Sequence, residues 1–206
     1  MGRINLHLTT APKQEPVTVD QLRGHLRVDA NDEDEYLNTI IIPSARRSVE
    51  RALGQVFITQ TWEWYWDGGW PGVGVLEFPI GPVLSVNSVK YLDVDGVETT
   101  WAASNYTVAI KGPIQRLWLN ESVVWPTVQR QTPEVAWVDF QAGYGPDKDD
   151  VPAGVKHLVL LMAEHVYEHR GPVRTGTFVI KVPHTLDYLV DQCRTLDFAP
   201  AATTSW

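Results

Sequence analysis

The sequence lacks three features that define common classes of protein. It contains one cysteine, Cys193, among 206 residues, which excludes an internal disulfide. It has no basic run, and its formal net charge of −8 disfavours a surface that wraps nucleic acid, because such a surface needs clustered Lys and Arg to displace counterions. Its longest apolar stretch, Leu158–Ala163, is far shorter than the ~20 residues of a membrane span. These absences predict a soluble globular protein.

The motifs of common catalytic sites are also missing. The sequence has no Gly-x-Ser-x-Gly elbow and no Gly-rich phosphate loop after a strand, so we predict no enzyme, no catalytic residues and no cofactor. His165 and His169 lie four residues apart, a spacing that can place two imidazoles on one metal. Val166, however, stands where the zinc-helix signature requires Glu, and no third ligand can be named. A polar helix face is therefore favoured, and no metal site is predicted.

A short helix and a longer one are predicted near the N-terminus. Thr18 offers an N-cap to the short helix, whose apolar stripe includes Leu22 and Leu26. The longer helix runs to Leu53, where Gly54 ends it. It begins with four carboxylates at the positive end of the helix dipole, namely Asp32, Glu33, Asp34 and Glu35.

Pro43 lies inside the pattern of the longer helix. Its ring nitrogen carries no hydrogen, so one backbone hydrogen bond of the helix is lost. We therefore expect a bend near Thr39 or a break in the helix.

From residue 55 the apolar period changes from that of a helix to that of a strand. Trp62, Trp64 and Trp66 fall on one side of the first predicted strand, and the residues between them fall on the other. Asp95-Gly96 accepts the positive φ angles of a tight hairpin. The further predicted strands are Val75–Phe78, Val86–Leu92, Val97–Trp101, Tyr106–Ile110, Ile114–Leu119 and Val135–Ala142.

The order of these elements predicts an α+β fold. Two N-terminal helices and a long helix whose first residue is Pro152 form a helical core, and an antiparallel β insertion separates them. An extended or helical tail follows, in which Thr185–Leu196 has helical spacing. The predicted parts are an N-terminal arm (1–16), the helical core (17–54 and 151–170), the β-rich insertion (55–150) and the C-terminal tail (171–206).

The tryptophans of the insertion allow two interpretations. Trp62, Trp64, Trp66 and Trp70 could form an exposed platform for sugar rings, which would make the chain a carbohydrate-binding β module. Alternatively, they fill the core of a β layer or a subunit interface, where large rings bury much area. Nucleic acid is disfavoured because this part of the chain has no Lys or Arg before Lys90. The packing interpretation is favoured, with the carbohydrate module as the alternative.

The order of several short motifs resembles that of the tailed-phage head–tail connector proteins, also called adaptor or head-completion proteins. Ala45-Arg46 and Val49-Glu50, with the acidic start of their helix, are similar to the family's first long helix. The other matching motifs are Phe78–Gly96, Tyr106, Trp125-Pro126, Ala142-Gly143-Tyr144-Gly145, Val151-Pro152 and Tyr167-Glu168-His169-Arg170. The resemblance extends over residues 18–170 and includes the adaptors of gene transfer agents, the phage-like particles of some bacteria.

The resemblance implies a structural protein of a virion or phage-like particle. Identical subunits would form a ring below the portal protein, for which twelve-fold symmetry is plausible, and the ring would receive a stopper or tail-terminator protein. DNA would pass through the channel without specific binding, and no membrane would take part. The helices would surround the channel, with the β insertion outside. Because residues 1–16 have no apolar core of a signal peptide, we expect assembly in the bacterial cytoplasm.

Two sets of residues are candidate contacts in such a ring. The four carboxylates Asp32, Glu33, Asp34 and Glu35 could line the channel, where negative charge would favour passage of DNA over its capture. Their alternative role is to cap the helix. The tail falls outside the best-matching residues, but it has apolar anchors for docking into the portal, namely Leu186, Leu189, Val190, Phe198 and Trp206.

Overall fold

The computed structural model describes residues 5–28, 31–72, 74–112 and 114–169. Its fold is α+β with antiparallel sheets, as the sequence predicted. The helices are α1 (Val19–Leu26), α2 (Asp34–Tyr36), α3 (Ile42–Leu53) and α4 (Ala153–Glu168). The strands are β1 (Asn5–Thr10), β2 (Gln60–Trp66), β3 (Val75–Glu77), β4 (Val83–Leu92), β5 (Glu98–Trp101), β6 (Tyr106–Ala109), β7 (Arg116–Leu119) and β8 (Ala136–Ala142).

A reciprocal pair of hydrogen bonds fixes the start of α1. The backbone N–H of Gln21 donates to the Thr18 hydroxyl at 3.2 Å, and the Thr18 N–H donates to the Gln21 side-chain oxygen at 2.9 Å. These bonds satisfy two amide groups that no helical carbonyl can reach, so the predicted N-cap is confirmed.

The longer helix is interrupted where Pro43 requires it. A π-helical turn at Leu37–Ile41 separates α2 from α3, and the Ile42 N–H donates to the Leu37 carbonyl five residues back. Pro43 has no N–H and cannot donate to the Thr39 carbonyl. The missing hydrogen bond therefore falls where the π-helical turn meets α3. The helix begins at Asp34, two residues later than predicted, and ends at Gly54 with φ 65°.

The helices and the residues that flank them share one hydrophobic core, which we call the helical core. α1 contributes Leu22, α3 contributes Ala45 and Val49, and α4 contributes Leu158 and Val159. None of the described helices is both long and apolar enough to cross a membrane.

A second hydrophobic core, the β core, lies between two antiparallel sheets. The larger sheet has the strand order β1-β2-β8-β4-β5, and the smaller has the order β3-β7-β6. In the larger sheet Trp64 faces Val138 across the β2–β8 pair, and Val138 faces Val89 across the β8–β4 pair. Leu76 and Leu117 enter the same core from the smaller sheet.

The segment between α3 and β2 differs from the prediction. Its alternating pattern was interpreted as a strand, but Gln55 and Ile58 make only isolated bridges to other parts of the chain. All four residues from Gln55 to Ile58 are buried, because the segment passes between the two cores. Val56 packs in the β core, whereas Phe57 and Ile58 pack in the helical core.

The N-terminal arm and the start of α4 also differ from the sequence-based expectation. The predicted N-terminal arm is extended, and its residues Asn5–Thr10 form β1 at the edge of the larger sheet. Pro152 lies at the N-cap of α4 with ψ 142°, one position before the helix, so its fixed φ precedes the first turn instead of forming it.

Candidate functional site

The four acidic residues predicted to line a channel divide into two groups. Glu33 accepts a hydrogen bond from the Tyr167 hydroxyl at 2.5 Å, which connects the start of α2 to the end of α4. A carboxylate oxygen of Asp34 lies 3.5 Å from Nε of Arg23 on α1. These two carboxylates therefore contribute to packing among the helices.

Asp32 and Glu35, the other two, are exposed. Neither has a described cation within ion-pair distance. The exposed negative charge of the segment is therefore carried by these two side chains.

The histidines of α4 form no metal centre among the residues that the structure describes. Nδ1 of His169 lies 2.8 Å from the carbonyl oxygen of His165, and the two rings are 4.4 Å apart. Nowhere in the described ranges do three His, Cys, Asp or Glu side chains converge. His25 on α1 lies 3.1 Å from Glu164, so this part of α4 contacts α1 through a polar pair.

The tryptophan ladder of β2 lies within the fold. Trp64 is 9% exposed, and Trp62 and Trp66 are half-buried against the β core. Trp70 stacks on Trp125 with ring centroids 4.4 Å apart and planes 11° apart. These rings pack on one another, so they do not form the open platform that sugar binding would need.

The exposed tryptophan of the β block lies on the smaller sheet. Trp118 on β7 is 44% exposed, and its neighbours across the sheet are Val75 and Thr107. The exposure of Trp118 was not predicted, although the alternation of β7 places it on the face opposite to buried Leu117.

A buried ion-pair network joins the two cores. Nε of Arg46 donates to Glu15 at 2.7 Å, and Nη1 donates to Glu50 one helical turn away at 2.7 Å. The other oxygen of Glu50 accepts hydrogen bonds from the Phe57 N–H and from the Gln60 side chain, each at 3.1 Å. One carboxylate thus connects α3, the segment that follows it and the first residue of β2.

Burial and charge act in opposition in this network. Burial raises the pKa of the Glu50 carboxyl above its usual value, and the positive charge of Arg46 counteracts only part of that rise. Burial also disfavours the charge of Arg46, but attraction by Glu50 and Glu15 outweighs it and leaves the guanidinium pKa raised. Sequence reasoning missed this role, although Arg46 and Glu50 have the i, i+4 spacing of a helical ion pair.

The proposed portal contacts lie outside the described residues. This applies to Leu186, Leu189, Val190, Phe198 and Trp206, and also to Cys193.

Comparisons with known proteins gave a family-model match for part of the chain and solved structures with a similar fold. Residues 16–91 match the family model of the phage gp6-like head–tail connector proteins. This range begins just before α1, includes the helices α1 to α3 and ends within β4. The resemblance to head–tail connectors that the sequence predicted is therefore confirmed. No curated protein sequence matches the chain.

Solved structures of gene transfer agent particles contain chains with a similar fold. A chain in the virion of a native particle is 23% identical, with a TM-score of 0.75, and the match covers 93% of this chain and 95% of that one. A chain in the neck of an empty particle, computed with C6 symmetry, has 23% identity and a TM-score of 0.74, with 93% and 96% coverage. One in the neck of a native particle, computed with C12 symmetry, has 22% identity and a TM-score of 0.73, with the same coverage.

Proposed function

We propose that this chain is the head–tail connector subunit of a phage or phage-like particle and has a structural, non-enzymatic role. The observation that carries the proposal is that two independent likenesses coincide in one chain. Residues 16–91 match a connector family model, and nearly the whole chain has the fold of proteins in gene transfer agent necks. The buried tryptophans support this choice over a carbohydrate module, because their rings contact one another.

In this proposal the subunits form a closed ring between the portal protein and a stopper or tail-terminator protein. The number of subunits is twelve, in keeping with the symmetry applied to one of the similar neck structures. A closed ring uses heterologous contacts, in which one face of each subunit meets a different face of its neighbour. Assembly takes place in the bacterial cytoplasm, and the finished ring remains in the particle.

The channel of the ring carries DNA without holding it. Asp32 and Glu35 supply exposed negative charge at the start of the long helix, which repels phosphates and so favours movement over capture. Glu33 and Asp34 have a supporting role, since both are engaged with other helices. Replacing Asp32 and Glu35 with Lys would leave the fold intact and increase retention of DNA, in a salt-dependent manner.

The tail after Arg170 docks into the portal protein through its apolar anchors. The experiment is co-expression of the chain with a portal protein from the same phage or phage-like particle, followed by sedimentation of the complexes. The full chain should sediment with the portal, and the chain truncated after Arg170 should keep its far-ultraviolet circular dichroism and melting transition but remain in the light fractions.

Two results would contradict this proposal. Co-sedimentation of the truncated chain at the level of the full chain would show that the tail is not the portal contact. Failure of the full chain to join portal complexes, together with retention on a polysaccharide column, would favour the carbohydrate module instead.

A further inference from the structure

The outer face of the larger sheet, opposite to the β core, carries charged and aromatic side chains. Tyr65 on β2 stacks on Trp137 of β8, with ring centroids 5.5 Å apart and planes 30° apart. The Tyr65 hydroxyl donates to Glu63 at 2.8 Å, which holds the tyrosine ring across the strands. We call this surface, with its surrounding charges, the outer sheet face.

Negative charge predominates on the outer sheet face. Three carboxylates, those of Glu63, Glu98 and Glu134, act electrostatically on Tyr65. Asp139 faces Glu63 across the β2–β8 pair and acts on Lys90, the lysine of this face. Lys90 forms an ion pair with Glu98 at 2.8 Å, and the hydrogen bond and charge of Glu98, with Asp139 and Glu63, raise the pKa of its ammonium group. Among the residues that the structure describes, the carboxylates of this face thus outnumber its lysine.

A surface of opposite charge lies on the solvent-facing side of α3. Arg47 and Arg51 are exposed and lie one helical turn apart, on the side of the helix opposite to buried Ala45 and Val49. Within the described part of the chain, neither arginine has an acidic side chain at ion-pair distance. Two like charges at this spacing destabilise an isolated helix, so a function outside the subunit would account for them. We call this pair the arginine ridge.

We propose that the arginine ridge of one copy docks on the outer sheet face of the next copy. This inference rests on the proposed function, because a closed ring requires two different, complementary faces on each subunit. The two surfaces belong to different layers of the fold, one to a helix and one to a sheet, so one subunit can use both at once. The occupant of the sheet face is thus a second copy of this chain.

The chemistry of the two surfaces favours arginine as the docked group. A guanidinium plane binds a carboxylate through two parallel hydrogen bonds and stacks on aromatic faces. The outer sheet face offers carboxylates and the half-buried ring of Tyr65, which stacks on the buried Trp137. An aromatic centre surrounded by charged groups is also the usual layout of a protein interface. DNA is a weaker occupant for the ridge, since two charges release few counterions.

The test uses two charge-reversed variants that fail alone and complement each other. The ridge variant carries Arg47→Glu and Arg51→Glu, and the face variant carries Glu98→Lys and Glu134→Lys, which spares the hydrogen bond between Tyr65 and Glu63. In each variant alone, like charges meet at every contact. In an equal mixture, each reversed ridge meets a reversed face and each native ridge meets a native face.

Self-association is measured by sedimentation velocity of the full-length chain at rising concentration, in low and in high salt. We expect the native chain to associate, each variant alone to associate more weakly by about tenfold or more, and the mixture to regain the native behaviour. Native association should also fall in high salt, because exposed charges are screened. The matched control carries Lys13→Glu and Lys111→Glu, which applies the same change in net charge as the ridge variant to exposed residues outside both surfaces and should associate like the native chain.

Several results would overturn the inference. The variants could associate as well as the native chain, the mixture could fail to recover although each variant keeps its native melting temperature, or the native chain could stay monomeric up to its solubility limit. Loss of DNA retention by the ridge variant, with unchanged self-association, would assign the ridge to DNA. None of these outcomes concerns the portal, so co-sedimentation with portal protein separates failure of this contact from failure of the proposed function.

Discussion

Replacing Arg46 with methionine tests whether the buried network stabilises the junction between the two cores. The side chains of Arg46 and Glu50 are 7% and 10% exposed, so methionine would leave the Glu50 carboxylate buried without a cation. Removal of one partner from a buried pair costs about 3–5 kcal/mol. A domain of this kind has a free energy of unfolding of about 5–15 kcal/mol, so the loss would be a large fraction of the total.

The assay is equilibrium unfolding in urea, with an exposed ion pair as the matched control. Lys90→Met removes the cation from the Lys90–Glu98 pair, whose side chains are 32% and 54% exposed, and should cost less than about 1 kcal/mol. A further variant combines Arg46→Met with Glu50→Gln. It removes the unpaired charge while an amide oxygen still accepts the Phe57 N–H, so most of the loss should be recovered.

The destabilisation of Arg46→Met should depend on pH with a definite sign. Burial already raises the pKa of Glu50 above its unfolded value, and loss of the Arg46 charge raises it further. The folded variant then binds a proton more tightly than the unfolded chain, so its stability is greatest below the unfolded pKa and falls as pH rises through the folded pKa. The variant should therefore be closer to the native protein at mildly acidic pH than at alkaline pH.

Three results would refute this reasoning. Arg46→Met could cost no more than Lys90→Met, its loss could be the same at acidic and alkaline pH, or the combined Arg46→Met and Glu50→Gln variant could be as unstable as the single one. Each would show that the Glu50 carboxylate is not held as a buried charge by Arg46.

Three other predictions, two of them with a paired control substitution, concern the free energy of unfolding. Gly143→Ala should cost more than about 2 kcal/mol, since Gly143 has φ 137° and a Cβ there would lie 2.7 Å from the Thr59 nitrogen. Its control, Gly24→Ala, has open space in α1 and should stabilise by about 0.5–1 kcal/mol. Thr18→Ala should cost about 1 kcal/mol by loss of the capping box, seen as a lower urea midpoint. Trp64→Ala should cost about 3–5 kcal/mol by leaving a cavity, and Trp118→Ala less than about 1 kcal/mol.

Contrary outcomes would be informative for each of these three. Equal effects of alanine at Gly143 and Gly24 would contradict the close backbone approach, and an unchanged midpoint for Thr18→Ala would contradict the cap. If Trp118→Ala destabilised as much as Trp64→Ala, the division into a buried and an exposed tryptophan would be wrong.

The strands were predicted well within the two sheets and wrongly in the segment between α3 and β2. The predicted strands Val75–Phe78 and Tyr106–Ile110 match β3 and β6 to within one residue. The period of two from residue 55 predicts a strand, but the same pattern also occurs in short buried segments that are not part of a sheet. Their position between two cores depends on elements that are distant in the sequence.

In the candidate site, too, the residue types could be read from the sequence, but their contacts could not. The Asp32–Glu35 carboxylates stand out in the sequence, but only the contacts of Glu33 with Tyr167 and of Asp34 with Arg23 show which of them are engaged. In each of these contacts the two side chains come from different elements, and local patterns do not specify such pairs. The burial of Arg46 was missed for the same reason.

The sequence by itself determined the local features of this protein. The Thr18 cap and the end of α3 at Gly54 follow from hydrogen bonds and φ angles of neighbouring residues, and the interruption near Thr39 follows from the missing N–H of Pro43. The turn between β4 and β5 is also local, but only Gly96 has a positive φ, of 80°, and its N–H closes the turn on the Asp93 carbonyl. The resemblance to head–tail connectors was also present in the order of its motifs.

Only the tertiary structure decided which surfaces remain for assembly. The strand order β1-β2-β8-β4-β5, the burial of the β2 tryptophans, the exposure of Trp118 and the separation of the outer sheet face from the arginine ridge all depend on long-range packing. The physical reason is that the exposure of a side chain depends on the groups that pack against it. In this fold many of those groups are distant in the sequence, as where β2 pairs with β8.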